Sequence, residues 1–332
     1  MFVMGATDHA GGTSRRGFLS AAIAAGATTQ FVPFAAAAAA SAPAKQCAGR
    51  PPGVRRSALA VAPDGRSLWT ADTGATTITR FGARNLLPQD SIDIGDAPKD
   101  LALAANGRIA LVTTGFYKGP GLAVVDLRAR RVLKRVDLGA QTGAVAVAAD
   151  AAYVVAGEEL LRIDPHSGRV EARTVVGRDP RGLALTADGD HALVALNADA
   201  AVAMVELRTH RVVRRIATAP NPYLVAAAPQ GRLAAVTHNS YGATSVSVLH
   251  AGGGARVLRT LSAGADPAGA AFAGNRTIAI ADRGEGVVRA IDVESGRGRT
   301  LVATGAYPRA IATHGRSVFA ADEQTGQLWR AR

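Results

Sequence analysis

The chain has 332 residues, a formal net charge of +12 at pH 7 and a single cysteine. This length is enough for one large domain or two ordinary ones. With Cys47 alone, the chain cannot form an internal disulfide framework, a cysteine-rich zinc site or a haem-attachment motif. Nearly all of the positive charge is arginine, because the only lysines are Lys45, Lys99, Lys118 and Lys134.

The first residues predict an export signal. Residues 14–20 read Ser-Arg-Arg-Gly-Phe-Leu-Ser and resemble the twin-arginine signal of bacterial export. The alanine-rich stretch that follows, 21–40, contains polar residues and Pro33, so it is a poor membrane span. Residues 42–44, Ala-Pro-Ala, offer a cleavage site. We therefore expect residues 1–44 to be a signal peptide and the mature chain to be periplasmic or secreted.

The rest of the chain repeats with a period of about forty residues. The phrase Leu-Ala-Val-Ala-Pro-Asp-Gly at 59–65 returns as Leu-Ala-Leu-Ala-Ala-Asn-Gly at 101–107. Asp-Gly and Asn-Gly pairs are hairpin signals, because the favoured two-residue turn needs positive φ at both central positions. Each unit reads as four strands, and a Gly-x-x-Pro step joins most units. The units begin near residues 57, 99, 143, 181, 223, 268 and 309.

Four antiparallel strands per unit at this period predict an all-β fold, a seven-bladed β-propeller of four-stranded antiparallel blades over 45–332. The units resemble the YVTN family of propellers, in which a strand that begins with proline leads to an Asp-Gly turn. The resemblance implies the fold, and it implies no particular activity, because the family shares an architecture. The last unit ends after its third strand, predicted over 327–330. We therefore expect a segment within 45–57 to supply the outer strand of the last blade.

The predicted fold gathers two sets of residues around one mouth of the central channel. The loops after the second strands carry Asp72, Asn197, His238, Asp282 and Asp322. The positions directly after the steps between blades carry Lys99, Arg181, Tyr223 and Arg309. We predict that these residues form a ligand-binding site, since carboxylate, amide and imidazole groups suit a polar ligand or a divalent cation. The alternative is that the Asp and Asn side chains cap turns.

Tyrosines in predicted top-face loops indicate a second recognition surface. These residues are Tyr117, Tyr241 and Tyr307. Tyrosine combines apolar area with a polar tip and is enriched where surfaces recognise partners. The alternative is that tyrosine simply tolerates exposure in loops.

No nucleophile elbow, phosphate-binding loop or catalytic triad spacing occurs in the sequence, so no catalytic residue, metal or cofactor is assigned. The sequence favours a non-enzymatic binding or scaffold module that acts through the channel mouth. A small polar ligand or a periplasmic protein is the expected partner of a monomer, with no nucleic acid and no transmembrane segment. The alternatives are a metal-dependent lactonase-like hydrolase and an accessory subunit of a quinone-linked periplasmic dehydrogenase.

Overall fold

The computed structural model describes residues 45–46, 55–115, 119–148, 150–238, 244–305 and 307–332. Within these ranges the strands form seven four-stranded antiparallel sheets. The first strand of each sheet contacts the first strand of the next, and the seventh contacts the first, so the sheets close a ring. The prediction of an all-β, seven-bladed propeller is confirmed. In the described part of the chain, no helix is long and apolar enough to span a membrane.

The strands follow the repeats closely. Strand β1 (Lys45–Gln46) belongs to blade 7. Blade 1 contains β2 (Arg56–Val61), β3 (Ser67–Asp72), β4 (Thr77–Gly82) and β5 (Pro88–Asp93). Blade 2 contains β6 (Pro98–Leu103), β7 (Ile109–Thr114), β8 (Gly121–Asp126) and β9 (Arg131–Asp137). Blade 3 contains β10 (Thr142–Val147), β11 (Ala152–Ala156), β12 (Glu159–Ile163) and β13 (Val170–Val175).

The second half of the ring repeats this order. Blade 4 contains β14 (Pro180–Leu185), β15 (His191–Leu196), β16 (Ala201–Glu206) and β17 (Arg211–Ala217). Blade 5 contains β18 (Pro222–Ala227), β19 (Leu233–His238), β20 (Ser245–His250) and β21 (Arg256–Ser262). Blade 6 contains β22 (Pro267–Phe272), β23 (Thr277–Asp282), β24 (Val287–Asp292) and β25 (Gly298–Ala303). Blade 7 contains β26 (Pro308–His314), β27 (Ser317–Asp322) and β28 (Leu328–Ala331) together with β1.

Blade 7 combines β1 with three strands from residues 308–331. Strand β1 pairs antiparallel with β28, with Lys45 opposite Arg330 and Gln46 opposite Trp329. The expectation that a segment within 45–57 supplies the outer strand of the last blade is therefore confirmed. Because β1 pairs with part of β28, the last blade does not leave the whole edge of β28 unpaired.

The Asp-Gly and Asn-Gly hairpins form, with a turn that differs from the expected type. Gly65 and Gly107 have positive φ, +67° and +65°, and the residues before them do not. The Gly65 N–H donates to the Ala62 carbonyl at 2.8 Å, and the Asp64 carboxylate accepts the Arg66 N–H at 2.9 Å. The glycine is needed for the left-handed position, and the aspartate is needed as a cap.

Apolar side chains fill the spaces between neighbouring blades. Tyr153 and Val155 of β11 pack with Leu183 of β14 and Val194 of β15, for example. The middle strands are buried on both faces and therefore read as continuous apolar runs, whereas the arginine-rich outer strands are mostly exposed. The core thus lies between the blades, and the axis of the ring stays open for a site.

Candidate functional site

A cavity of about 450 Å³ lies on the axis of the ring, where the first strands begin. All seven first strands contribute to its wall, with Ser57, Lys99, Gly143, Arg181, Tyr223, Gly269 and Arg309. Thr73, Gly115 and Glu323 add residues that follow second strands. A volume of this size is typical of small-molecule sites, which span roughly 300–1,000 Å³.

The structure brings together the second set of predicted site residues. Lys99, Arg181, Tyr223 and Arg309 are each the second residue of a first strand, and all four line the cavity. They come from blades 2, 4, 5 and 7. Closure of the ring therefore brings them together, since no single segment of the chain contains them. Arg181 is exposed, and the other three are half-buried.

Arg309 connects blades 7 and 5 across the mouth. Its Nη2 donates a hydrogen bond to the Tyr223 hydroxyl at 2.8 Å, and its guanidinium carbon lies 5.8 Å from the Tyr223 ring centroid. This distance is within cation–π range. Its Nη1 lies 2.5 Å from Oε1 of Glu323. The charge of Arg309 is thus balanced inside the site, and the tyrosine is held in one orientation.

Lys99 and Arg181 form a different kind of surface on blades 2 and 4. The Lys99 amine donates to Oε1 of Gln141 at 3.2 Å and to the Thr142 carbonyl at 3.4 Å. Burial, and then the positive charge of Arg181, hold the pKa of Lys99 below its ordinary value, while the Asp96 carboxylate acts in the opposite sense. Two cations from different blades therefore repel each other here, and a bound anion would relieve that repulsion.

Arg181 also has a carboxylate neighbour on its outer side. Its Nε lies 2.7 Å from Oδ1 of Asp179. Its Nη2 also donates to Oδ2 of Asp179 at 3.2 Å, so the contact is bidentate. Both side chains are well exposed, so solvent screens the attraction.

Asp100 is a cavity residue that the sequence analysis missed. Its Oδ1 accepts the Leu101 N–H and its Oδ2 accepts the Val145 N–H of blade 3, both at 2.9 Å. Burial raises the pKa of Asp100 to about 6, against the lowering effects of these two N–H groups and of the Arg309 charge. Asp100 is half-buried and forms part of the cavity wall. Gln141 is a second such residue, since it was not among the predicted site residues.

The residues at the ends of the second strands have other surroundings, and none of the five lines the cavity. Asp72 and Asp282 are buried inside their blades. Oδ1 of Asp72 lies 3.4 Å from Nε of Arg56, and Oδ2 of Asp282 lies 3.1 Å from Nε of Arg289. Burial raises the pKa of Asp72, and the Arg56 charge is the largest opposing effect. These two carboxylates hold their own blades together.

Asp322 and His238 are likewise buried within their blades. Oδ1 of Asp322 accepts the Thr325 hydroxyl at 2.8 Å, as in a side-chain-capped turn. Nε2 of His238 lies 2.8 Å from the Ser247 hydroxyl, and its Nδ1 lies 3.1 Å from the Pro220 carbonyl. Burial lowers the pKa of His238, so the imidazole is neutral at pH 7.

Asn197 lies one residue beyond the position that the repeat predicts. In blade 5, Pro222 of the first strand is opposite His238, whereas in blade 4 Pro180 is opposite Leu196. Asn197 is therefore the residue after the second strand. Its side-chain amide donates to the Pro222 carbonyl of the next blade at 3.2 Å. For these five residues, the geometry favours turn capping and blade packing over contact with a ligand.

The predicted tyrosine surface is only partly described. Tyr117 and Tyr241 lie outside the described residues, as do residues 1–44 with the predicted signal. Tyr307 is 45% exposed, and its carbonyl accepts the Glu323 N–H at 3.0 Å. Its role in recognition stays a prediction.

The charges in the cavity wall favour anions over metals. Among the described residues, no three His, Cys, Asp or Glu side chains are placed to hold one metal ion. The ionisable cavity residues are Lys99, Arg181 and Arg309 on the cationic side, and Asp100 and Glu323 on the acidic side. Because Glu323 is engaged by Arg309, the two cations Lys99 and Arg181 remain against the one carboxylate of Asp100, and the wall keeps a surplus of one positive charge.

The fold defines the class: this chain is a seven-bladed β-propeller, and its axial cavity is lined in part by charged and polar residues. No protein-family model matches the sequence, and no curated protein matches it. It is similar to a Kuenenia stuttgartiensis hydrazine synthase structure, with a TM-score of 0.73 and 16% identity over 86% of this chain and 97% of that chain. It is also similar to a functionally unknown protein from Desulfotomaculum acetoxidans, with a TM-score of 0.68 and 12% identity over 79% and 89%. Likeness at these identities shows the fold.

Proposed function

We propose that this chain is an exported, YVTN-type binding propeller that takes a small organic anion into the cavity at the channel mouth. The observation that carries the proposal is that Lys99 of blade 2 and Arg181 of blade 4 line the same cavity. Keeping two cations close together costs free energy. An anionic ligand between them would turn that repulsion into two charge-assisted contacts.

The remaining wall suits an organic ligand better than an inorganic ion. Ala58, Leu59, Ala270 and Ile311 give the cavity apolar surface next to the charged residues. Small-molecule pockets usually combine apolar surface with polar groups at defined positions. Tyr223, held by Arg309, adds a fixed aromatic face beside the cations. We therefore expect a carboxylate with a carbon body.

Removing both cations is expected to abolish anion binding. The Lys99→Gln, Arg181→Gln double variant should bind hexanoate, citrate and inorganic phosphate at least tenfold more weakly than the parent by titration calorimetry, since each charge-assisted bond contributes about 1.5–3 kcal/mol. Arg211→Gln with Arg214→Gln on the exposed outer strand β17 is the matched control, because it removes the same charge away from the cavity. Equal affinities in the parent and the cavity variant, or no binding by the parent, would refute the proposed site.

Export is the second element of the proposal, and it is supported by the sequence of residues 14–20. Replacing Arg15 and Arg16 with lysine should leave the full-length precursor in the cytoplasm, because the pathway reads the arginine pair. Cell fractionation and immunoblotting would measure this. A chain with Arg130→Lys and Arg131→Lys, a pair in the propeller itself, should be exported like the parent. Export of the Arg15, Arg16 variant at the parental level would contradict the assignment.

A further inference from the structure

The seven repeats provide an internal control for the residue at the third position of each first strand. In blade 2 this residue is Asp100. In the other blades it is Ala58, Ala144, Gly182, Leu224, Gly269 and Ala310. Six of the seven blades therefore have an apolar or small residue at this position. Packing does not require a carboxylate there, and burying an ionised one is unfavourable.

The Asp100 carboxylate is fixed in place and still able to bind. The N–H groups of Leu101 and Val145 each occupy one of its oxygens, and the Asp100 N–H itself donates to the Thr113 hydroxyl at 3.2 Å. An ionised carboxylate has about four lone-pair sites, so roughly two acceptor sites remain. Asp100 is also part of the cavity wall.

The charged groups around Asp100 are arranged on two sides. Lys99 precedes it on β6, and its amine lies toward Gln141 and Thr142 on blade 3. Arg309 of β26 acts on Asp100 through its charge, and Glu323 and Tyr223 engage the guanidinium of Arg309. Asp100 is therefore a hydrogen-bond acceptor in a cavity whose other ionisable groups are mainly donors.

We propose that Asp100 determines which anion is bound, by accepting a hydrogen bond from a ligand that carries donors on its carbon body as well as a carboxylate. The carboxylate of the ligand contacts Lys99 and Arg181, and its hydroxyl or ammonium groups contact Asp100. This inference rests on the proposed anion site and names the ligand class for it. A site that is built to receive a donor discriminates strongly against an analogue without one, because its own acceptor is then left desolvated.

Three probes of the same carbon chain length test the inference on the intact protein. Hexanoate has no donor on its body, gluconate has hydroxyl groups, and aminohexanoate has a terminal ammonium. At neutral pH we expect gluconate or aminohexanoate to bind about tenfold or more tighter than hexanoate by titration calorimetry. Tighter binding of gluconate alone assigns hydroxyl donors, and tighter binding of aminohexanoate alone assigns an ammonium. Either result supports the inference.

Variants then locate the preference on Asp100. In Asp100→Ala, which places at this position the residue that blades 1, 3 and 7 already have, the affinity ratio should fall to about one. Asp150→Ala is the control, because it removes an exposed carboxylate in a hairpin of blade 3. Its affinity ratio should equal that of the parent. Should the alanine variant fail to fold, Asp100→Asn keeps the shape of the side chain and should also reduce the ratio.

Two results separate this inference from the proposed function. If hexanoate binds the parent as tightly as both other probes, or if the preference survives in Asp100→Ala, the role of Asp100 is refuted while the anion site stands. If none of the three carboxylates binds the parent, the anion site is refuted and the inference falls with it.

Discussion

Replacing Asp282 with alanine is expected to lower the free energy of unfolding by about 3–5 kcal/mol. Asp282 is fully buried, and its partner Arg289 is 4% exposed. The Asp282 carboxylate accepts the backbone N–H groups of Asp266 at 3.0 Å and of Ala265 at 3.2 Å in the step that leads into blade 6. Alanine would remove a carboxylate partner of the buried Arg289 guanidinium, which keeps its contact with Glu285. It would also remove the acceptor of three N–H groups, because the Glu285 N–H donates to Asp282 as well, at 3.3 Å. Urea denaturation followed by circular dichroism would measure the loss.

Glu294→Ala is the matched control for this variant. Glu294 pairs with Arg276 on the same blade, and both side chains are well exposed. Removing an exposed partner should cost less than about 1 kcal/mol. Asp282→Ala should also bind the carboxylate probes with near-parental affinity wherever it remains folded, because Asp282 lies behind the cavity wall. A variant that melts like the parent but loses ligand would show that Asp282 belongs to the site.

The architecture was predictable because each blade carries its own signals. Glycine at the left-handed turn position, as at Gly65 and Gly189, returns at a fixed interval, and so does the proline that begins most first strands. These are local requirements of the backbone, so each can be recognised from the residue type at its position in the sequence. The closing strand was predictable for a different reason: the last repeat lacks one strand, and one short segment before the first repeat remains to provide it.

The positions of the candidate residues were predictable only where the repeat register was right. Lys99 and Arg309 line the cavity, and both follow a step of fixed length that is visible in the sequence. Asn197 was misplaced because the polar residue at the end of the second strand served as the marker, and in blade 4 the strand already ends at Leu196. Asp282 was assigned to the channel from its place in the repeat. Its burial against Arg289 depends on the pairing of β23 with β24, and the spacing of residues in the sequence does not show that pairing.

Asp100 was missed although a signal for it exists. The letters at the third position of the first strands are small or apolar in six repeats and acidic in one. An exception to a repeat is informative, because the other copies show what packing alone requires. Whether the exceptional side chain points to solvent, into a core or into a cavity depends on the closed ring, so the sequence could not decide its role.

Adding a single methyl group at Gly182 is expected to destabilise the ring by about 3 kcal/mol, at the upper end of the usual cost of overpacking. A Cβ atom at this position would lie 2.5 Å from the Tyr223 carbonyl oxygen and 2.8 Å from the Leu224 Cα and the Val225 nitrogen. These are backbone atoms of β18 and cannot turn away as a side chain would. In Gly182→Ala the first strands of blades 4 and 5 must therefore separate, which denaturant titration would measure.

Gly253→Ala is the control for this change, because an added Cβ at Gly253 meets no atom within 4 Å. Its stability should lie within about 0.5 kcal/mol of the parent. Gly182 lies directly between Arg181 and the junction with Tyr223, so the separation should also move two cavity residues apart and weaken the binding of hexanoate. Parental stability in Gly182→Ala would show that β14 and β18 can separate freely. In that case the contact between these strands does not determine the distance between Arg181 and Tyr223. The shape of the cavity would then depend on its side chains alone.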